Sequence, residues 1–257
     1  MRRLLQLLFV LPVSLSLAAQ DKEMVQRANH YLDHIVIAIN DLDEGIRQIE
    51  RTTGVRPKED GSDAQLGTHS AIIALGEKTF LEIIAPDPKA DPALVDAELK
   101  PLFLDRIRTY ESLTPFSWAI GTSNIERTVA FARRSSTRTA EVMPGSRKRG
   151  WGRATGWEWT RVVRPESYVM PLFVQWDAGS KPPQDRAPGG CTLSALEVFS
   201  RVYKSVHALI ATMQVDVESA GAEHESINLR LDCPRGEVLF EGNSLMGPTT
   251  RPDPGSK

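Results

Sequence analysis

Cysteine is scarce in this 257-residue chain, with only Cys191 and Cys233 present. No Cys-x-x-Cys redox or metal motif can therefore form. A strong charge of one sign is also missing. Thirty-one basic and 33 acidic residues leave a net charge of -2, so no global field draws in nucleic acid or an acidic lipid surface. There is no Gly-rich phosphate loop and no Ser nucleophile elbow, which removes the common nucleotide-binding and serine-hydrolase signatures. Long apolar runs are confined to Leu4–Leu17, which Pro12 breaks, and that run is short for a membrane span.

What is present reads as an ordinary soluble composition, 41% hydrophobic and 25% charged, with enough chain for one large domain or two small ones. The N-terminus has the pattern of a targeting segment. Arg2 and Arg3 precede the apolar run, and Ser16-Leu17-Ala18 puts small residues where a signal peptidase reads. Residues 1–19 are thus expected to be a signal peptide, cleaved after Ala18 or Ala19. The mature protein is expected to be periplasmic or secreted, with no stable membrane anchor; an uncleaved anchor is the alternative. No Cys follows the run, which argues against a lipoprotein. In an exported chain Cys191 and Cys233 could pair across a sheet, or stay as two partly buried thiols. A locally basic window, Arg133 to Arg153, reads as a solvated face or loop.

The stretch Tyr31–Pro86 carries the most chemistry. In Leu32-Asp33-His34-Ile35-Val36-Ile37-Ala38-Ile39 the odd isoleucines form one strand face, and His34, Val36 and Ala38 form the other. In Phe80-Leu81-Glu82-Ile83-Ile84, Glu82 shares a face with Phe80 and Ile84. A carboxylate inside an apolar strand needs a partner, and a metal ion or a polar substrate would serve. Between the two strands, Leu42, Ile46 and Ile49 have helical spacing, with Asn40 or Asp41 as cap and Gly54 past the end.

That pattern returns. Thr114–Ile120 reads as a strand, and Ser123 with Glu126 as the capping box of a helix bearing Ile125 and Val129. Strands follow at 156–163 and 171–177. A third round comprises a strand at Cys191–Phe199, a helix at Val202–Met213, and a strand pair at Ser226–Asp232 and Glu237–Glu241. Segments 87–112, 143–155 and 178–190 read as linkers or loops. The expected architecture is α+β, built from packed repeat modules. Its expected divisions are 20–112, 113–188 and 189–246, with a tail at 247–257.

The run Asp33-His34-Ile35-Val36 resembles the opening of the glyoxalase-like domain, a branch of the vicinal oxygen chelate superfamily. Leu66-Gly67-Thr68-His69, Phe80-Leu81-Glu82-Ile83, Ser146-Arg147, Trp157-Glu158-Trp159, Pro171-Leu172-Phe173-Val174-Gln175-Trp176-Asp177 and Gly190-Cys191 continue the resemblance. It implies tandem βαβββ modules whose curved mixed sheets enclose a cavity, here with a shorter third β-α-β-β module. Many superfamily members hold a divalent metal there, with a His and a Glu from each of two modules. They use it to bind two vicinal oxygens of a small-molecule substrate.

Carried over residue by residue, His34 and Glu82 match the first-module ligands. Ser117 falls at the position of His34 in the second module when Asn40 is aligned with Ser123, and Gln175, on the last strand of that module, is the counterpart of Glu82. His69, if it faces inward, completes a set of two imidazoles and one carboxylate for iron, manganese, nickel or zinc. The expectation is a metal-dependent lyase, isomerase or dioxygenase acting on a small oxygenated anion. In it His34, His69 and Glu82 hold the metal, Glu82 and Gln175 are catalytic, and Arg147 neutralises the anion. Trp157, Trp159 and Trp176 would line the cavity, and Glu158, on the opposite side of its strand from the tryptophans, could add an acid there. The alternative is a metal-free protein that binds or sequesters a small molecule; a His–Glu pair can also be a plain buried ion pair. The third module could serve as a dimerisation surface, giving a homodimer. His30, His207 and His224 carry no such signal.

Overall fold

Strand β1 (Tyr31–Ala38) sets the orientation of the molecule. Ile35 and Ile37 enter one hydrophobic core, and Val36 and Ala38 enter a second core on the opposite face. The computed structural model describes residues 29–134, 137–147, 155–164, 167–180 and 182–242. The expected signal peptide and the 247–257 tail lie outside them.

Helix α1 (Leu42–Thr53) starts where Asp41 Oδ1 accepts a hydrogen bond from the Glu44 amide at 2.8 Å, and ends at Gly54, whose φ is 80°. An L-residue is strained at that angle, so glycine is the stop signal. Leu42, Ile46 and Ile49 bury one stripe of α1 against the sheet, each contributing about 1.5–3 kcal/mol of apolar burial. The first module is completed by β2 (Lys58–Asp63), β3 (Thr68–Ala74) and β4 (Phe80–Pro86). The segment expected as a plain linker, 87–112, contains the short helix α2 (Leu104–Ile107), and its Leu99, Phe103 and Ile107 pack into the second core.

The second module repeats the order with β5 (Thr114–Gly121), α3 (Ile125–Arg134), β6 (Met143–Arg147), β7 (Thr155–Arg161) and β8 (Leu172–Trp176). At the start of α3 the Asn124 side-chain oxygen accepts from the Arg127 amide at 2.9 Å. Part of the expected loop 143–155 is strand β6, paired antiparallel to β7. Both modules join in one eight-stranded sheet, ordered β2-β3-β4-β1-β5-β8-β7-β6. β1 and β5 pair antiparallel at its centre, and each lies parallel to the last strand of its own module. The sheet curls until edge strands β2 and β6 meet, with Asp60 and Arg147 forming an ion pair across the seam.

The third module comprises β9 (Thr192–Ser200), α4 (Tyr203–Met213), β10 (Glu218–Gly221), β11 (Ser226–Cys233) and β12 (Gly236–Glu241). It adds β10 to the expected β-α-β-β. Its order, β10-β9-β11-β12, places the first strand inside the sheet rather than at an edge. Leu196, Val198, Ile227, Leu229 and Leu231 share the core that holds Ile35, Ile83 and Trp118. This module therefore covers the outer face of the large sheet and leaves the concave face to the cavity. Cys191 and Cys233 are joined in a disulfide.

Candidate functional site

The concave face carries a buried chain of charges. Arg147 at the end of β6 donates from Nη2 to Glu82 Oε1 and from Nη1 to Asp60 Oδ2, both at 2.6 Å. Asp60 Oδ1 also accepts from Arg186 Nη2 at 3.0 Å. Glu82 and Arg147 are 7% and 9% exposed, too dry for either charge to persist alone. Burial works against ionisation of Glu82, but the Arg147 charge and hydrogen bond lead the interactions that outweigh it, and its carboxyl stays below the usual range. Burial likewise opposes the charge on Arg147, and Glu82 and Asp60 more than restore it.

A second group steers His34. Its Nδ1 lies 2.6 Å from Asp33 Oδ1, and Trp176 Nε1 donates to Asp33 Oδ2 at 2.9 Å. An ionised carboxylate only accepts, so the geometry places the imidazole proton on Nδ1 and leaves Nε2 as an acceptor. The ring stacks on Phe80 with centroids 4.9 Å apart. Burial, followed by the Asp33 charge, raises the pKa of the neighbouring Tyr31 phenol. Asp63 differs from Glu82. Burial dominates there and raises its pKa, although the Leu66 and Gln65 amides donate to it.

These groups open on a cavity lined by His34, Asp63, Glu82 and Arg147 on its polar side. Phe80, Phe103, Phe116, Trp157, Trp159 and Trp176 make up its aromatic wall. The space open to water-sized spheres is about 80 Å³, below the roughly 300–1,000 Å³ of drug-sized sites. Gly145 helps shape that wall. A Cβ there would lie 2.2 Å from Trp157 Nε1, so only glycine lets the indole lie across β6. The Arg147 guanidinium carbon is 5.6 Å from the Trp157 ring centroid.

His34, Glu82, Arg147, Trp157, Trp159 and Trp176 thus come together around one cavity. Four expectations need correction. His69 does not face inward. In the β3–β4 register Ile72 stands opposite Glu82 and His69 opposite Ala85, and the pleat turns His69 to the face away from Glu82. Gln175 also points away, and its Oε1 accepts from the Ile125 amide at the start of α3 at 2.7 Å, which makes it a helix cap. Glu158 is exposed on the outside of β7. Arg147 lines the cavity, but two carboxylates already engage its guanidinium, leaving it poorly placed to neutralise an anion. His207 and His224 are exposed.

Asp33, Asp60, Asp63 and Arg186 are the site residues that sequence reasoning missed. Both Asp33 and Asp60 sit at β-bulges, where the register slips between Leu32 and His34 and between Glu59 and Gly61. Bulges re-aim side chains, so strand alternation gives no sign of where these acids point. Arg186 lies in a short 3-10 turn (Pro183–Arg186) inside a Pro-rich loop.

The donor set does not fit a two-module metal site. Val36, two residues beyond His34, pairs with Glu82. The corresponding residue beyond Ser117 is Ala119, and it pairs with Leu172. The second module therefore presents a hydroxyl and an alkyl group where a histidine and a glutamate would be needed. The remaining carboxylate, Glu82, is occupied by a guanidinium. Among the described residues no group of three His, Cys, Asp or Glu side chains is arranged to hold a metal ion.

The family described as "Glyoxalase-like domain" matches residues 32–213. No curated protein matches the chain. Among solved structures, a hypothetical protein from Staphylococcus aureus superposes with a TM-score of 0.55 at 13% identity, over 84% of this chain and 86% of that one. A hypothetical protein from Bacillus halodurans C-125 gives a TM-score of 0.41 at 17% identity, over 60% and 99%. A variant of Streptomyces coelicolor methylmalonyl-CoA epimerase in complex with 2-nitronate-propionyl-CoA gives 0.39 at 23% identity, over 59% and 97%. The first of these supports the fold alone.

Proposed function

From the premise that this chain belongs to the glyoxalase-like domain family of the vicinal oxygen chelate superfamily, we propose that it is a metal-independent binder of a small, partly aromatic molecule. Superfamily members often bind divalent metals, and this chain has kept the cavity while replacing the ligand set. One observation carries the reading: the Arg147 guanidinium sits on Glu82, so the carboxylate's charge is answered within the protein. The ligand then packs on Trp157, Trp176 and Phe80 and hydrogen-bonds to His34 Nε2.

A second reading rests on the Asp33–His34 pair. A carboxylate that fixes the imidazole tautomer prepares Nε2 to take a proton from a bound molecule, so an isomerase or lyase acting through His34 alone is the catalytic form of the same site. No step is assigned to a metal. Export remains part of the proposal, supported by the N-terminal pattern and by the Cys191–Cys233 disulfide, a bond that persists in oxidising compartments.

An NMR fragment screen of the mature protein in the presence of EDTA tests the reading. Aromatic fragments should shift the Trp157 and Trp176 indole resonances and bind at least tenfold more weakly to a His34→Leu variant. Binding that appears only after a divalent metal is added would overturn it.

A further inference from the structure

A second pocket lies against the first and shares Phe103, Phe116, Ser117 and Leu172 with it as walls. Its space open to water-sized spheres is about 270 Å³, more than the 80 Å³ of its neighbour. Among the described residues its charged lining is of one sign: Arg106, Arg161 and Arg164 contribute to it, and no described Asp or Glu does.

Arg106 and Arg161 carry the argument. Arg106, on α2, has its guanidinium carbon 4.7 Å from the Phe116 ring and 5.0 Å from the Tyr168 ring. Its Nη1 donates a long hydrogen bond to the Leu102 carbonyl at 3.4 Å. Arg161 ends β7 on the same face as Trp157 and Trp159, and its Nε is buried with no hydrogen-bond partner. Among the described residues neither guanidinium has a carboxylate within ion-pair distance. Arg147, on the concave face, and Arg186, in the Pro183–Arg186 turn, are by contrast both paired with acids. A partly desolvated cation without a counter-charge is costly, and the fixed fork of a guanidinium matches a planar or tetrahedral oxyanion. Stacking on rings holds Arg106 in place before any ligand arrives, so less entropy is lost on binding.

We propose that this second pocket is an oxyanion subsite. It takes the carboxylate or phosphate at the remote end of a ligand whose aromatic or polar body enters the first cavity past Ser117. The subsite deepens the binding function assigned to the first cavity and rests on that reading for the ligand's other end. The anionic group is thereby moved from Arg147 to Arg106 and Arg161.

Isothermal titration of the mature protein at constant ionic strength, with inorganic phosphate, acetate, phenyl phosphate and benzoate, provides the test. Phosphate or acetate should bind the wild type, and which of the two binds identifies the anion class. Arg106→Gln and Arg161→Gln should each weaken that binding tenfold or more, and Arg161→Lys should restore part of it, with thermal melts showing that all variants fold. Tighter binding of the phenyl compounds than of the bare anions would add support for the linked first cavity. Equal binding would leave the anion subsite standing and count against that cavity as the home of the ligand's body. Failure of both bare anions to bind, or binding that survives both Gln substitutions, would overturn the subsite.

Discussion

Arg147 joins three parts of the molecule with one side chain. It bridges Asp60 on β2 and Glu82 on β4, and its flank lies near Trp157 on β7. Removing one partner of a buried pair leaves a stranded charge, which costs about 3–5 kcal/mol. Arg147→Met should therefore lower unfolding stability by about that much at pH 7, measured by urea denaturation. Adding Glu82→Gln to Arg147→Met should recover part of the loss, because Asp60 keeps Arg186. If the single and double variants were equally unstable, Glu82 would not be Arg147's energetic partner. At this scale, His34 and Glu82 were legible because each stands at a regular strand position among apolar neighbours. Asp33 and Asp60 were not, because each stands at a bulge.

At the scale of elements, legibility followed hydrophobic pattern. β1, α1, β4 and β5 announce themselves through alternation or helical spacing. β2 reads Lys-Glu-Asp-Gly-Ser-Asp, and β6 reads Met-Pro-Gly-Ser-Arg. Both are edge strands with little apolar surface, and their sequences look like turns. Yet these two edges supply Asp60, Asp63 and Arg147, so the half of the site that was hardest to foresee lies on the least hydrophobic strands. The disulfide belongs to this scale too. It closes a loop with a sequence separation of 42 and ties the start of β9 to the end of β11. Replacing both cysteines with alanine should cost about 2–4 kcal/mol through the entropy returned to the unfolded chain. A change within error under oxidising conditions would show that strand pairing alone holds this sheet.

At the scale of the whole molecule, two modules share one curled sheet, and the third covers its outer face. That division leaves the inner face free to differ from the metal-binding members of the superfamily. It also sets a pH response. His30 packs against α3, with Nε2 2.9 Å from Thr128 Oγ1, and burial lowers its pKa to about 4. The folded state therefore prefers the neutral ring. The stability linked to that preference is complete above the unfolded pKa of about 6.5 and is lost as pH falls toward 4. A His30→Gln variant should show a shallower decline in melting temperature between those pH values than the wild type does, and an identical slope would remove His30 from the account. Elemental mass spectrometry of the mature protein shows whether a cavity of this fold works without a bound divalent metal. The protein would be incubated in turn with iron, manganese, nickel and zinc salts and then desalted. Well under one metal per chain is expected for every ion, unchanged in a Glu82→Ala variant. Near-stoichiometric metal that is lost in that variant and in His34→Ala would contradict that expectation.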